Sequence, residues 1–203
     1  MAAVAIAHPL TPEDRDRAEF YALLGRLYAE APEAQLLRSI AGARAMDGDE
    51  ALPTAWNRLI AASGVMDAEA AAQEYTDLFV GVGACEVNLH ASHWIAGAML
   101  DRPLAELRGE LASMGLGRRS NVVMLEDHLS ALFETMRLLV AGHGDRPRAR
   151  IGVQRAFFER HIDPWAFLCC SAIGASSIAN YYGCVAELTE AFMALDRDAL
   201  AMD

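Results

Sequence analysis

Basic side chains are in short supply. Lysine and arginine together number 17 against 28 aspartates and glutamates, which leaves a formal net charge of -11 on 203 residues. That balance argues against a nucleic-acid partner, because phosphate backbones are held by basic surface. It fits a basic partner such as a cationic peptide, and it fits equally well acidity that serves only solubility. Cysteine is sparse as well. Cys85, Cys169, Cys170 and Cys184 show no paired spacing and two are adjacent, so a disulfide framework is not expected in a reduced cytosolic chain. The opening stretch MAAVAIAHPL has no basic residue ahead of its short apolar run, so the pattern of a secretory signal is missing and the chain reads as cytoplasmic. No stretch shows sustained two-residue alternation bounded by turn signals, which speaks against strands. Internal repeats and low-complexity segments are also lacking. From Pro164 to Ala186 there is no charge at all, a run long enough to raise a membrane span. Ser171, Ser176, Ser177, Asn180, Tyr181 and Tyr182 dilute it, and its flanks Asp163 and Glu187 offer no basic anchor, so a helix starting at Pro164 and buried at the centre of a bundle fits better.

What is present is helix after helix. With 54% hydrophobic and 22% charged residues the composition is that of a folded soluble protein, expected as one domain over residues 1–203, with two lobes conceivable about a junction near 101–125. Thr11, Pro12 and Asp14 form an N-cap, a proline at the first helical position and an acid at the third; Phe20, Leu23, Leu24, Leu27 and Tyr28 give this helix its core face. A second helix with Leu36, Leu37 and Ile40 should follow Pro32 and end in the Gly48 region, and a third with Trp56, Leu59 and Ile60 should end at Gly64. Asp67 caps a fourth, which turns Ala71, Tyr75, Leu78 and Phe79 inward and stops at a left-handed Gly81. Gly81–His90 is irregular, as functional loops are, and leads into a short helix over 91–100. Leu104, Leu107, Leu111 and Met114 mark the next helix, a mobile loop is expected over 142–147, and Ile151, Gln154, Phe158 and His161 mark another helix. Gly183 should break the uncharged helix before a last one carrying Leu188, Phe192 and Leu195. The fold class is therefore all-α, a multi-helix bundle of about nine to eleven helices.

The segment from Gly117 to Val140 organises the rest. An irregular basic stretch runs into an amphipathic helix whose stripe is Leu125, Leu129, Leu132, Met136 and Leu139, widened by Phe133 and Val140. Its first turn should carry Glu126, Asp127 and His128, with Asp127 pointing away from the stripe, Glu126 at its side and His128 on its edge. Carboxylates there can simply complement the helix dipole. The imidazole can both donate and accept hydrogen bonds near neutral pH. Cys85, His90 and His93, with Glu86, are conceivable metal ligands, but no second cluster supports them. A helical metal protein or enzyme using Asp127, His128 and that loop stays open as the alternative to a binding role. Gly81-Val-Gly83 lacks the lysine and Ser/Thr of a phosphate-binding loop.

Taken together, Tyr75-Thr-Asp-Leu78-Phe79-Val-Gly81, Ser92, Trp94, Leu125-Glu-Asp127-His128, Phe158, His161, Pro164-Trp165 and Tyr181-Tyr182 fall in an order and spacing that resembles the TorD/DmsD/NarJ group of twin-arginine-linked molybdoenzyme chaperones. The resemblance runs from about Tyr75 to the end, and the Asp-His pair is its most specific part. It implies a cytoplasmic, all-helical, non-enzymatic chaperone without a cofactor of its own, monomeric or homodimeric and not inserted in a membrane. Its implied partners are the twin-arginine signal peptide and the apo-form of a molybdopterin oxidoreductase, held until cofactor insertion. Tyr75, Leu78 and Phe79 would line the peptide-binding region, with Glu126 beside it and Asp127 and His128 as its polar part. Prolines that many members carry in the 81–88 loop and before the Asp-His pair are missing here. The residue chemistry agrees: a leader with two arginines needs carboxylates beside an apolar surface, because guanidinium forks pair with carboxylates through two parallel hydrogen bonds.

Overall fold

The computed structural model describes residues 10–81, 85–96, 102–118, 120, 122–144 and 146–202. Among them are ten α-helices, one π-helical turn and no strand: α1 (Pro12–Ala29), α2 (Ala34–Ala41), α3 (Ala51–Val65), α4 (Ala68–Tyr75) running into the π turn Thr76–Val80, α5 (Ala91–Ala96), α6 (Arg102–Ser113), α7 (Leu129–Ala141), α8 (Ile151–His161), α9 (Ala166–Ala175) and α10 (Tyr181–Met202). The all-α expectation holds. None of these helices is long and apolar enough to cross a membrane.

Local side-chain caps place the starts of α1 and α4. Thr11 accepts from the Asp14 N–H at 3.0 Å and Pro12 takes the first helical position of α1, where its missing N–H costs nothing. Asp67 caps α4 through the N–H groups of Glu69 and Ala70. Gly81 ends the π turn at φ 62, a left-handed conformation that glycine tolerates without a Cβ clash. The 91–100 helix is seen as Ala91–Ala96, and 97–100 lie outside the described residues, as do 1–9, 82–84, 119, 121 and 145.

The core is one continuous hydrophobic cluster drawn from α1, α7, α8, α9 and α10 with contributions from the others. α1 lies along α7, and Gly25 makes the crossing close: a Cβ there would sit 3.5 Å from the Ser130 carbonyl. Tyr21 and Tyr28 of α1 pack against Phe133 of α7, and α10 brings Phe192 against Tyr21. The α7 stripe is as expected, with Leu129, Leu132, Phe133, Met136 and Val140 fully buried. Trp165 is fully buried too, its indole N–H donating to the His161 carbonyl at 2.7 Å, in line with a core rather than membrane setting.

Four boundaries differ from the sequence reading. α2 ends at Ala41, well before Gly48. α7 begins at Leu129, so Glu126, Asp127 and His128 precede the helix instead of forming its first turn. The uncharged run is two helices: α9 starts after Trp165, not at Pro164 under an Asp163 cap, and ends at an extended Ser176. Gly183 lies inside α10, whose start is set by Glu74. That buried carboxylate of α4 accepts from the N–H groups of Asn180, Tyr181 and Tyr182 at 2.9, 3.2 and 2.7 Å, supplying through space the cap that the local sequence lacks.

Candidate functional site

Two irregular segments meet in front of α7. Leu129 donates its N–H to the Leu89 carbonyl at 2.8 Å and Ala91 donates to the Asp127 carbonyl at 3.0 Å, so His90 and His128 face each other as an isolated antiparallel bridge. Val87 donates to the Leu78 carbonyl at 2.9 Å, which ties the same loop to the π turn. Asn88 fixes the loop's shape: its side chain accepts from the His90 N–H, and its carbonyl receives the Trp94 indole N–H at 2.7 Å. The junction is thus held by backbone pairing between elements about forty residues apart.

Asp127 sits at its centre and is only 1% exposed. One carboxylate oxygen accepts from His90 Nδ1 at 3.0 Å and the other from the Ser92 N–H at 3.1 Å, at the start of α5. Burial by itself would raise its pKa, but the hydrogen bonds from His90 and Ser92 outweigh it and bring the carboxyl down to about 2. His128, 8% exposed, is the N-cap of α7: its Nδ1 accepts from the Ser130 N–H at 3.2 Å. An accepting Nδ1 requires the neutral ring. Burial, and then the neighbouring His90 with ring centroids 4.9 Å away, push its pKa down to about 3 despite the charge of Asp127.

Glu126 is differently placed. Its side chain is 13% exposed and meets two guanidinium groups, with Arg108 at 2.9 Å and Arg118 at 3.5 Å. Burial raises its pKa, and the hydrogen bond from Arg108 leads the effects that lower it overall. Four and three positions earlier in the chain, Val122 and Val123 are 39% and 91% exposed. Behind the junction a cleft of about 180 Å³ is walled by Ile95, Leu107, Asp127, Leu132 and His161. His161 and Arg160 both reach Glu110 there, at 2.9 and 2.7 Å.

The aromatic half of the expected site forms a separate cluster. Tyr75 and Phe79 have ring centroids 5.2 Å apart, and both rings pack on Tyr182. Both are half-buried and offer some surface, whereas Leu78 is fully buried and contributes its carbonyl to the junction. The loop from Val87 to His90 is what links this cluster to Asp127 and His128.

Sequence reasoning had His90 only as a conceivable metal ligand; its partner is Asp127. Among the described residues no three His, Cys, Asp or Glu side chains converge as a metal site would require. Glu74 and Arg108 were missed. Neither had a local signal, since each acts on a group far along the chain.

No curated protein matches the chain. Residues 46–171, which contain the π turn, the 85–92 loop and the Asp127–His128 junction, match the family described as nitrate reductase delta subunit. The chain therefore belongs to the nitrate reductase delta subunit family, a family of chaperones for molybdoenzyme maturation.

Proposed function

We propose that this chaperone acts in the cytoplasm, binding the twin-arginine signal peptide and the apo-form of a molybdopterin oxidoreductase and assisting cofactor insertion before export. The observation that carries the reading is Glu126. Its carboxylate is already dressed by two guanidinium groups of its own chain, one of which, Arg118, also donates to the carbonyls of the exposed Val122 and Val123. A leader that presents arginines and an apolar stretch would find matching chemistry here. Its arginine would displace Arg118, the more distant of the two at 3.5 Å, whose own side chain is 36% exposed and can turn back to water. Tyr75 and Phe79 would supply apolar contact, while Leu78, Asp127 and His128, being buried, would hold the backbone that presents Glu126.

Calorimetric titration of a synthetic twin-arginine leader tests this. Glu126→Gln should weaken binding by about 1.5–3 kcal/mol, the range for a hydrogen bond to a charged group. Phe79→Ala should weaken it independently, and Arg118→Gln should tighten it. Rising salt should weaken wild-type binding only moderately, since apolar contact is not screened. Equal affinity in wild type and Glu126→Gln, with both folded, would sink the proposal.

A further inference from the structure

On another part of the molecule a groove of about 740 Å³ opens between α1, α10 and the start of α3. Its floor is apolar. Phe20 of α1 stacks on Phe192 of α10 with centroids 5.1 Å apart and meets Trp56 of α3 edge-on at 5.7 Å. Leu23 extends the floor, and Leu195 stands 56% exposed at its edge. A lip of α1 carries Glu13, Asp16 and Glu19, whose spacing of three puts them along one side of the helix. All three are exposed, and none belongs to an ion pair among the described residues. The charges deeper in the groove cancel, because Arg17 is paired with Asp196. Arg44 is the one other cation in the lining, so three carboxylates face a single guanidinium.

We infer that this groove docks an amphipathic helix with a basic flank, supplied by a polypeptide partner. An exposed apolar floor between helices is the surface on which such a helix lays its apolar stripe. The lip selects the sign of the flank, since carboxylates without partners attract guanidinium or ammonium groups and repel acids. Two other occupants fail on charge. Residues 1–9 contain no lysine or arginine and so offer no basic flank along a helix. A second copy of the chain would bring another net charge of -11 to a lip of the same sign. The groove shares no lining residue with the Asp127 junction, so this inference stands or falls apart from the leader-binding proposal.

The test is titration of the full chain with a designed peptide probe, an acetylated helix of about four turns with leucines at i, i+3, i+4 and i+7 and arginines along one flank. Roughly micromolar affinity is expected. A peptide with glutamate in place of arginine should not bind. Leu195→Glu, and separately the triple variant Glu13→Gln, Asp16→Asn, Glu19→Gln, should each weaken binding about tenfold, and the triple variant should flatten its salt dependence. Circular dichroism checks that each variant is folded, and the lip triple, all exposed, carries the test if Leu195→Glu is not. The remote triple Glu33→Gln, Glu69→Gln, Glu159→Gln should bind as wild type. The inference is overturned if the remote triple weakens binding as much as the lip triple, or if the folded lip triple binds like wild type. It is overturned too if Val4→Glu with Ile6→Glu tightens binding, which would make the chain's own amino terminus the occupant. A dimer in sedimentation that Leu195→Glu dissociates would overturn it in favour of a second copy.

Discussion

Asp127 and Asp196 are both almost wholly buried, at 1% and 2% exposure, yet their surroundings solve the same problem differently. Asp196 ties α10 to α1 and is met by the guanidinium of Arg17 and by the Tyr21 hydroxyl, which donates to it at 2.6 Å. A permanently charged fork and a phenol hold that carboxylate. Burial and the adjacent Asp196 raise the Tyr21 pKa well above its usual value, so its proton stays put. Asp127 ties loop to loop, and its partners are a backbone N–H and a histidine. Where rigid helices pack, the chain spends a fixed charge; where two irregular segments must be joined, it relies on backbone groups and imidazoles, whose hydrogen bonding depends on protonation.

That contrast can be broken experimentally, beginning at the helix pair. Asp196→Ala leaves Arg17 without its main partner and the Tyr21 hydroxyl without an acceptor. Breaking such a pair from one side should cost about 3–5 kcal/mol, read from urea melts, and a loss below about 1 kcal/mol would mean that water already solvates the guanidinium. Asp127→Asn nearly keeps the shape and one acceptor oxygen while removing the charge. The expected loss is about 1.5–3 kcal/mol, the range for a hydrogen bond to a charged group, with α5 and the 85–92 loop showing faster amide exchange while α1 and α10 do not. Uniform acceleration across all helices would show that the junction is not a local unit.

Per pH unit, the smallest effect is the dependence on pH. His128 has its pKa lowered from 6.5 to about 3, so the unfolded chain takes up a proton that the folded one refuses. Its contribution to stability is whole above about pH 6.5 and is lost progressively as pH falls toward 3, with a slope of at most about 1.4 kcal/mol per pH unit. Asp127, lowered from 3.8 to about 2, adds its own loss only below about pH 3.8, down through its folded value. His128→Asn keeps a side-chain acceptor at the N-cap and should remove most of the slope between pH 6.5 and 4. An unchanged slope would assign the acid sensitivity to another group.

The helices themselves were legible. Leu129, Leu132, Met136 and Leu139 repeat at three and four, Thr11-Pro12-Asp14 cap a helix by local chemistry, and all of these landed as read. The family resemblance was carried by the same kind of local string, Tyr75 to Gly81 and Leu125 to His128, and the family match covers both. The site residues were harder. Asp127 was read as an outward carboxylate on a first helical turn, but the helix starts after it, because His128 caps α7 and Leu89 claims the Leu129 N–H. Glu126 and not Asp127 is the acid that meets guanidinium groups.

What the amino-acid sequence determined alone is everything that depends on neighbours within one or two helical turns: helix identity, the buried stripe of α7, the caps of α1 and α4, and the acidic balance of the whole. The tertiary structure decided where partners come from far along the chain. α10 starts at Tyr181 because Glu74, 106 to 108 positions earlier, receives its first N–H groups. α5 starts beneath Asp127, 35 positions later, and the apolar groove exists only because α1, α3 and α10 leave their flanks uncovered where they meet. A backbone group needs a partner, but it places no demand on how distant in sequence that partner lies.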